Sequence, residues 1–255
     1  MGIDFGKTAD DYERHRAGFP PVLFERLLAH GIGIDGQRVL DLGTGTGSLG
    51  RGFAARGCAV TGLDPSPELI AKARELDAAA GFPTRYVVAK AEATGLPAAS
   101  FDVVTAGQCW HWFDRPAAAA EATRLLAPSG VLLITHFDWI PLPGNVVDET
   151  ERLIERHNPA WKFGGGTGAY PRWFTDLGIA GFGGIESLSF DLPASYSHND
   201  WRGRVRASAG VGASLPPDKV AAFDTALAAM LKEHFADEPL AVPHRVFAVW
   251  GRKRE

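Results

Sequence analysis

Cysteine is scarce in this chain of 255 residues, and no long apolar segment is present. Cys58 and Cys109 are the two cysteines, and they form no CxxC pair, which disfavours a disulfide framework and predicts reduced thiols. The longest apolar run begins at Val131 and is interrupted by His136 and Asp138, so it is too short for a membrane span of about 20 residues. We therefore expect a soluble, cytoplasmic protein without a membrane partner.

An excess of positive charge and a metal-ligand pattern are also lacking. The 30 acidic residues outnumber the 26 Lys and Arg residues, which gives a formal net charge of -4. Proteins that bind nucleic acids usually present a basic field to the phosphate backbone, so we expect no nucleic-acid partner. The eight histidines form no HxxxH or His/Cys spacing, and the sequence therefore predicts no metal site.

Apolar segments of strand and helix type alternate through the first 140 residues. The predicted helices cover approximately residues 20–30, 49–54, 66–81 and 117–127, and the predicted strands cover residues 39–42, 58–64, 85–89, 101–107 and 130–137. Ser66 is a typical helix N-cap and Gly81 a typical stop for the helix between them. Such alternation predicts an α/β protein whose parallel sheet carries helices on both faces.

The alternation lapses after residue 140. We expect a helix at residues 146–157, followed at residues 158–173 by a lid or substrate loop rich in glycine and aromatic residues. Two late strands, at residues 184–192 and 244–252, flank a polar helix near residues 199–210 and an amphipathic helix that contains Val220, Phe223, Leu227 and Met230.

The segment DLGTGTG carries the strongest functional signal. Asp41 ends the first predicted strand, and Gly43, Thr44 and Gly45 follow it. Glycines allow a ligand to approach the backbone closely, and the next helix presents its first amides there. Asp64 ends the second strand roughly twenty residues later, where a carboxylate accepts both hydroxyls of a ribose. The pattern predicts a nucleotide-like ligand.

Two ligands are compatible with these glycines. Gly45, Gly47 and Gly50 also satisfy the G-x-G-x-x-G pattern, which is typical of an NAD(P)-dependent oxidoreductase. The carboxylate of Asp41, however, would repel a pyrophosphate and attract the ammonium group of a methionine moiety. The charge therefore favours S-adenosyl-L-methionine as the cofactor.

Three segments together resemble the successive motifs of class I S-adenosylmethionine-dependent methyltransferases. They read VLDLGTGTGSLGRGFAARGCAVTGLDPSPELIAKAR, AEATGLPAASFDVVTAGQCWHWFD and RLLAPSGVLLIT, and the HWF sequence after strand four resembles the type 11 small-molecule branch, the trans-aconitate methyltransferase-like proteins. The resemblance covers residues 12–135. It implies a Rossmann-like, seven-stranded, mostly parallel sheet with helices on both faces, a reversed last strand and a substrate-capping insertion.

The same resemblance implies the domain organisation and the cofactor contacts. We expect one methyltransferase domain with an N-terminal cap segment at 1–34, a cofactor-binding core at 35–139, a substrate-cap insertion with a late strand at 140–240 and a final strand at 241–255. Methionine contacts are expected at the glycine turn, the ribose contact at Asp64, and adenine contacts at Pro65 and at Ala91 and Glu92. Lys90 stands where the wider superfamily commonly has an acidic residue. The expected set is Asp41, Gly43, Thr44, Gly45, Asp64, Pro65, Ala91, Glu92 and Gln108, and the product is S-adenosyl-L-homocysteine.

The acceptor is expected beside the end of strand four. Gln108, Trp110, His111 and Trp112 follow that strand, and ring faces attract a sulfonium cation. His111 is the candidate catalytic residue, because an imidazole can take the proton of a hydroxyl acceptor. The alternative is that His111 holds the two tryptophans by a backbone hydrogen bond, and a carboxylate acceptor would need no base. His136 is a second candidate for this pocket.

Other candidate substrate residues lie outside the central motifs. Tyr12 and Arg16 resemble the segment that closes over the cofactor in this branch, although a solvated helix face explains them equally well. Arg202 could bind an acidic substrate bidentately. We expect methyl transfer to an oxygen of a small molecule, either hydroxyl or carboxylate, by a monomer or homodimer. The alternatives are the oxidoreductase and a non-catalytic, cofactor-binding regulatory protein.

Overall fold

The computed structural model describes residues 15 and 17–254, which contain seven strands and eight helices. The strands are β1 (Arg38–Leu42), β2 (Ala59–Asp64), β3 (Arg85–Val88), β4 (Phe101–Gly107), β5 (Leu126–Trp139), β6 (Phe182–Tyr196) and β7 (Leu240–Lys253). The helices are α1 (Pro21–Leu28), α2 (Ser48–Ala54), α3 (Pro67–Ala80), α4 (Arg115–Leu125), α5 (Val146–His157), α6 (Arg172–Ile179), α7 (His198–Arg206) and α8 (Pro217–His234). A short 3₁₀ helix, Trp110–Trp112, follows β4.

The seven strands form one sheet in the order β3-β2-β1-β4-β5-β7-β6. Neighbouring strands from β3 to β5 are parallel. The last strand is reversed, because the Thr135 hydroxyl donates to the Phe247 carbonyl (2.9 Å) while the Lys253 ammonium donates to the Leu126 carbonyl (2.8 Å), so residue numbers rise along β5 as they fall along β7. The mostly parallel, Rossmann-like sheet that the sequence predicts is confirmed.

Local sequence signals predict the bounds of most helices and strands to within a few residues. The Ser66 side chain accepts a hydrogen bond from the Leu69 amide (3.3 Å) at the start of α3, and Gly81 ends that helix with a φ of 76°. Both β4 and α5 have the predicted bounds. Helix α4 begins two residues earlier than predicted, because Asp114 caps it by accepting from the Ala117 amide (3.2 Å).

The expected loop at residues 158–173 needs one correction, since helix α6 begins inside its end. Trp173 and Leu177 are both buried and lie one helical turn apart, so their burial stabilises a helix that follows Pro171 directly. Strands β6 and β7 are also longer than predicted. Pro193 falls within β6, where it is tolerated because β6 is the edge of the sheet.

The described residues divide into two compact units. The sheet unit contains residues 18–137, 170–189 and 246–254, and its core includes Leu40, Val104 and Leu132 from the central strands. The helical unit contains residues 15, 17, 138–169 and 190–245, and Trp201 and Phe223 are fully buried in it. The expected four-segment organisation of one domain stays a prediction. Among the described residues, no helix is both long and apolar enough to cross a membrane.

Candidate functional site

The turn between β1 and α2 uses its glycines for two different reasons. The Thr44 amide donates to the Leu63 carbonyl (2.9 Å), which ties the turn to β2. Gly43 has a φ of 62°, and a Cβ there would lie 2.9 Å from Cys109 Sγ, so packing excludes a side chain. Gly45 has a φ of 55°, but a Cβ there would meet no heavy atom within 4 Å. The space beside Gly45 is therefore open to a ligand that approaches the backbone.

Asp41 is buried at the end of β1 and organises this turn. Its Oδ2 accepts from the Thr44 hydroxyl (2.7 Å) and the Gly50 amide (3.2 Å), and its Oδ1 accepts from the Thr105 hydroxyl (2.8 Å). Burial raises the pKa of Asp41 to about 6, the three hydrogen bonds oppose this rise, and the nearby charge of Asp64 adds to it. The side chain therefore fixes the loop through its hydrogen bonds and places a titratable negative charge beneath it.

Asp64 ends β2, and its carboxylate is held on both oxygens. Oδ2 accepts from the Gly45 amide (3.0 Å), and Oδ1 accepts from the Ser66 amide (2.9 Å). Burial raises the pKa of Asp64, and these two hydrogen bonds lower it. A carboxylate offers about four lone-pair positions, so each oxygen retains capacity for one hydroxyl. Together with the open space at Gly45, this capacity fits a nucleoside with a ribose diol, as S-adenosylmethionine has.

The predicted adenine contacts lie at the same edge of the sheet. The Ala89 amide donates to the Asp64 carbonyl (3.2 Å), which brings the chain after β3 beside the end of β2. Ala91 is buried there, whereas Pro65 is exposed. The Glu92 carboxylate accepts from the Asp114 amide (2.9 Å) and so links this segment to the start of α4. Contact of these side chains with an adenine remains a prediction.

On the other side of β1, Gln108 leaves β4 in a conformation that is uncommon for a residue with a side chain. Its φ is 59°, its amide donates to the Thr135 carbonyl (2.9 Å), and its side-chain amide donates to the Phe137 carbonyl. Both bonds hold this residue on β5. Because such a backbone is strained, it persists only where the surroundings fix it, and such positions cluster at functional sites.

Trp110 and Trp112 occupy different environments. Trp110 has no exposed surface, and its indole N–H donates to Asp176 Oδ2 (3.0 Å). Arg115 forms an ion pair with the same carboxylate oxygen (3.0 Å). Trp112 is 39 % exposed, and His111 beside it is also exposed. Trp110 thus anchors the turn in the core, whereas His111 and Trp112 present exposed rings, and their contact with a ligand remains a prediction.

Rings from three segments gather beside this turn, and we name His111, Trp112, His136, Tyr170 and Trp173 the aromatic group. The ring centroids of His111 and His136 are 5.3 Å apart, and His136 lies 4.6 Å from Tyr170 and 4.8 Å from Trp173. Tyr170 and Trp173 stack at 3.9 Å with an interplanar angle of 2°. Sequence reasoning missed Tyr170, Trp173 and Asp176. The aromatic residues at the end of the expected loop were the available signal.

Arg202 lies in the helical unit with a carboxylate already beside it. Asp224 accepts from Nε (3.0 Å) and Nη2 of Arg202, and also from Nη1 of Arg206 (2.8 Å). Arg204 is buried, with its guanidinium 4.6 Å from the centroid of the Trp139 ring. As the spacing indicates, the three arginines do not share one face, and binding of an acidic substrate by Arg202 stays a prediction.

The remaining predicted substrate residues, Tyr12 and Arg16, lie outside the described residues. Within residues 15 and 17–254, no group of three or more His, Cys, Asp or Glu side chains is placed to hold a metal ion. The candidate site thus consists of the turn after β1, Asp64 and the aromatic group.

Comparison with known sequences gives matches to methyltransferases. The type 11 family described as a methyltransferase domain matches residues 40–134. An uncharacterized methyltransferase of Mycobacterium tuberculosis is 38% identical over 181 residues, which are 63% of this chain and 71% of that protein. A malonyl-[acyl-carrier protein] O-methyltransferase of Enterobacter lignolyticus is 37% identical over 143 residues, which are 54% of each protein.

Solved structures share the fold over most of the chain. A proposed type II methyltransferase of Anaeromyxobacter dehalogenans has a TM-score of 0.63 at 25% identity and covers 94% of this chain and 98% of its own. A Haemonchus contortus phosphoethanolamine N-methyltransferase 2, solved in complex with S-adenosyl-L-methionine, has a TM-score of 0.57 at 20% identity and covers 98% of this chain and 57% of its own. At this lower identity, the likeness is one of fold.

Proposed function

Because the chain belongs to the type 11 family of S-adenosylmethionine-dependent methyltransferases, we propose that it methylates an oxygen of a small-molecule acceptor. When bound, the cofactor supplies an electrophilic methyl group, and the electron pair of its C–S bond stays on sulfur to leave S-adenosylhomocysteine. Membership of this enzyme family replaces the oxidoreductase and the non-catalytic interpretations. The proposal includes no nucleic-acid partner.

The chain's own residues have distinct roles toward the cofactor in this proposal. Asp64 accepts the ribose hydroxyls, because its two oxygens each keep a lone pair after binding the amides of Gly45 and Ser66. The turn at Gly45 admits the methionine part, and the buried charge of Asp41 attracts its ammonium group. Pro65 and the chain after β3 border the adenine.

The exposed imidazole of His111 is the observation that carries the choice of oxygen as the acceptor atom. His111 lies in the turn after β4, and its ring centroid is 5.3 Å from that of His136. Ligands of parallel sheets bind outside the carboxyl ends of the strands, and His111 stands at that edge. An imidazole there accepts the proton of a hydroxyl as its oxygen gains the methyl group. The O-methyltransferase activity named for the Enterobacter lignolyticus relative also supports an oxygen acceptor.

Release of S-adenosylhomocysteine tests the proposal. The enzyme is incubated with S-adenosylmethionine and matched sets of small hydroxyl, carboxylate and amine compounds. We expect release with hydroxyl or carboxylate compounds and none with the amines. Release with amines alone would contradict oxygen as the acceptor.

Substitution of His111 separates base catalysis from a structural role. In His111→Ala we expect kcat to fall about a hundredfold with a hydroxyl acceptor and to stay unchanged with a carboxylate acceptor, which needs no base. His30→Ala is the matched control, since His30 is a partly exposed histidine that pairs with Glu186 (3.3 Å) away from this turn. Equal losses with both acceptors would assign His111 to structure.

A further inference from the structure

Tyr170 and Trp173 stack within the aromatic group, and this packing fixes the orientation of the Tyr170 ring. Trp173 is buried, and its ring lies 5.8 Å from the ring of Phe247 in the core of the sheet unit. Tyr170 lies flat on Trp173 and also contacts Phe247 edge-on at 5.8 Å. Tyr170 itself is only partly buried. Its ring is therefore held by buried partners while part of its surface remains accessible.

The two histidines extend this surface toward the turn after β4. His136 is buried and contacts the rings of both Tyr170 and Trp173, at 4.6 Å and 4.8 Å. His111 lies 5.3 Å from His136 and 4.4 Å from the exposed ring of Trp112. Tyr170, His111 and Trp112 are thus the accessible members of the aromatic group, and each presents a planar ring.

The cation that follows the turn after β4 is already paired with a carboxylate. Arg115 is the cation that follows the turn, and Asp176 pairs with it (3.0 Å) while also accepting from Trp110. A carboxylate acceptor that bound Arg115 would have to displace Asp176. A hydroxyl acceptor needs only a proton acceptor, and His111 supplies one.

We propose that Tyr170 determines acceptor specificity by stacking on a flat, hydroxylated aromatic ring, which makes phenol-type compounds the acceptor class. This inference rests on the proposed methylation of oxygen. The phenolic oxygen forms a bond to the methyl carbon as the carbon–sulfur bond breaks, and the phenolic proton moves to the His111 imidazole and then to water. Aromatic rings attract one another in offset-stacked arrangements, and Tyr170 already stacks in this way on Trp173.

Binding of two ring probes of matched size tests the proposal. The enzyme loaded with S-adenosylhomocysteine is titrated calorimetrically with 2-naphthol and with decahydro-2-naphthol, which has the same carbon skeleton without aromaticity. We expect 2-naphthol to bind about tenfold more tightly, as a stacked ring pair predicts. Tyr170→Leu should remove this preference, and Tyr170→Phe should keep it.

Controls distinguish ring recognition from a general loss of structure. Phe174→Leu removes a 37 % exposed ring from α6 and should leave the affinity for 2-naphthol unchanged. All variants should keep their affinity for S-adenosylhomocysteine. Equal affinities of the wild-type enzyme for the two probes, or equal losses in Tyr170→Phe and Tyr170→Leu, would overturn the proposal. Because binding is measured without methyl transfer, this failure is distinct from a failure of oxygen methylation.

Discussion

The turn after β1 and the aromatic group lie at the same edge of one sheet but differ in the chemical groups that form them. The turn uses main-chain amides, positive-φ glycines and the carboxylates of Asp41 and Asp64, all from one continuous βαβ unit. The aromatic group uses side-chain rings from the turn after β4, from β5 and from the chain entering α6. A turn of backbone amides and carboxylates therefore forms within one local motif, whereas a cluster of rings forms only through tertiary structure.

Removal of the Asp64 carboxylate should have the largest effect on ligand binding, and this effect should fall on the cofactor and not on the acceptor. In Asp64→Ala, both ribose hydroxyls lose a charged acceptor, and each such hydrogen bond is worth about 1.5–3 kcal/mol. We expect S-adenosylmethionine to bind about a thousandfold more weakly by calorimetry. Unchanged binding would remove Asp64 from the cofactor site and would break the distinction between the two regions.

A second carboxylate controls for the loss of charge. Asp102 lies near the start of β4 and binds Arg38 through both oxygens, with Nη2 to Oδ1 at 2.6 Å. Asp102→Ala should leave the affinity for the cofactor unchanged. Asp64→Asn keeps one acceptor oxygen, so it should recover part of the affinity that Asp64→Ala loses.

The pH dependence of stability should report Asp41. Burial raises its pKa from the ordinary 3.8 to about 6, so the folded protein holds this proton more tightly than the unfolded chain. The unfolded state binds fewer protons between these two values, and the free energy of unfolding therefore falls as the pH rises from 3.8 to about 6, by about 3 kcal/mol from this group. Denaturant titrations at intervals across this range measure the change.

Asp41→Asn isolates this contribution, since an amide does not titrate. Its stability should vary less with pH than that of the wild type across the same range. In the wild type, the affinity for S-adenosylmethionine should rise with pH through about 6, because the ionised Asp41 attracts the ammonium group. Identical pH profiles of stability for the variant and the wild type would show that folding does not raise the pKa of Asp41.

Substitution of Asp176 should have a smaller effect, and among the activities it should lower acceptor turnover. In Asp176→Ala, the buried indole N–H of Trp110 and the guanidinium of Arg115 lose their shared partner. An unsatisfied buried donor costs about 2 kcal/mol of stability. We expect a lower midpoint of thermal unfolding and slower acceptor turnover, with the cofactor affinity unchanged. Asp176→Asn keeps an acceptor for Trp110 and should lose less; a fall in cofactor affinity would show that the two regions are coupled.

The sequence predicted the turn after β1 and its position beside the end of β2 because the signals for both are local. Asp41, Gly45 and Asp64 occupy the ends of two strands that apolar patterning identifies, and a parallel sheet places those ends side by side. The parallel pairing of the first five strands follows from the alternation of strands and helices. What local patterning does not contain is the hydrogen bonding of Asp41, whose partner Thr105 lies on β4.

Part of the aromatic group escaped prediction for a physical reason. Trp110 was expected to face the substrate, but its side chain is buried. Its indole N–H donates to Asp176, which lies on α6, a helix that the sequence did not predict. Tyr170 and Trp173 looked like loop residues because Pro171 separates them and glycines precede them. Their stacking on each other and their contact with His136 arise only when the chain returns to β5 after residues 138–169.

A glycine pair gives the smallest but sharpest test of the turn after β1. Gly45 and Gly36 have φ values of 55° and 80°, and a Cβ at either position would meet no atom within 4 Å. Alanine at either site should therefore destabilise the protein through backbone strain alone, by about 1 kcal/mol. Only Gly45→Ala should also weaken binding of S-adenosylmethionine, because its methyl group occupies the space through which a ligand reaches the turn. Equal cofactor affinities of the two variants would mean that Gly45 serves the turn and not the ligand.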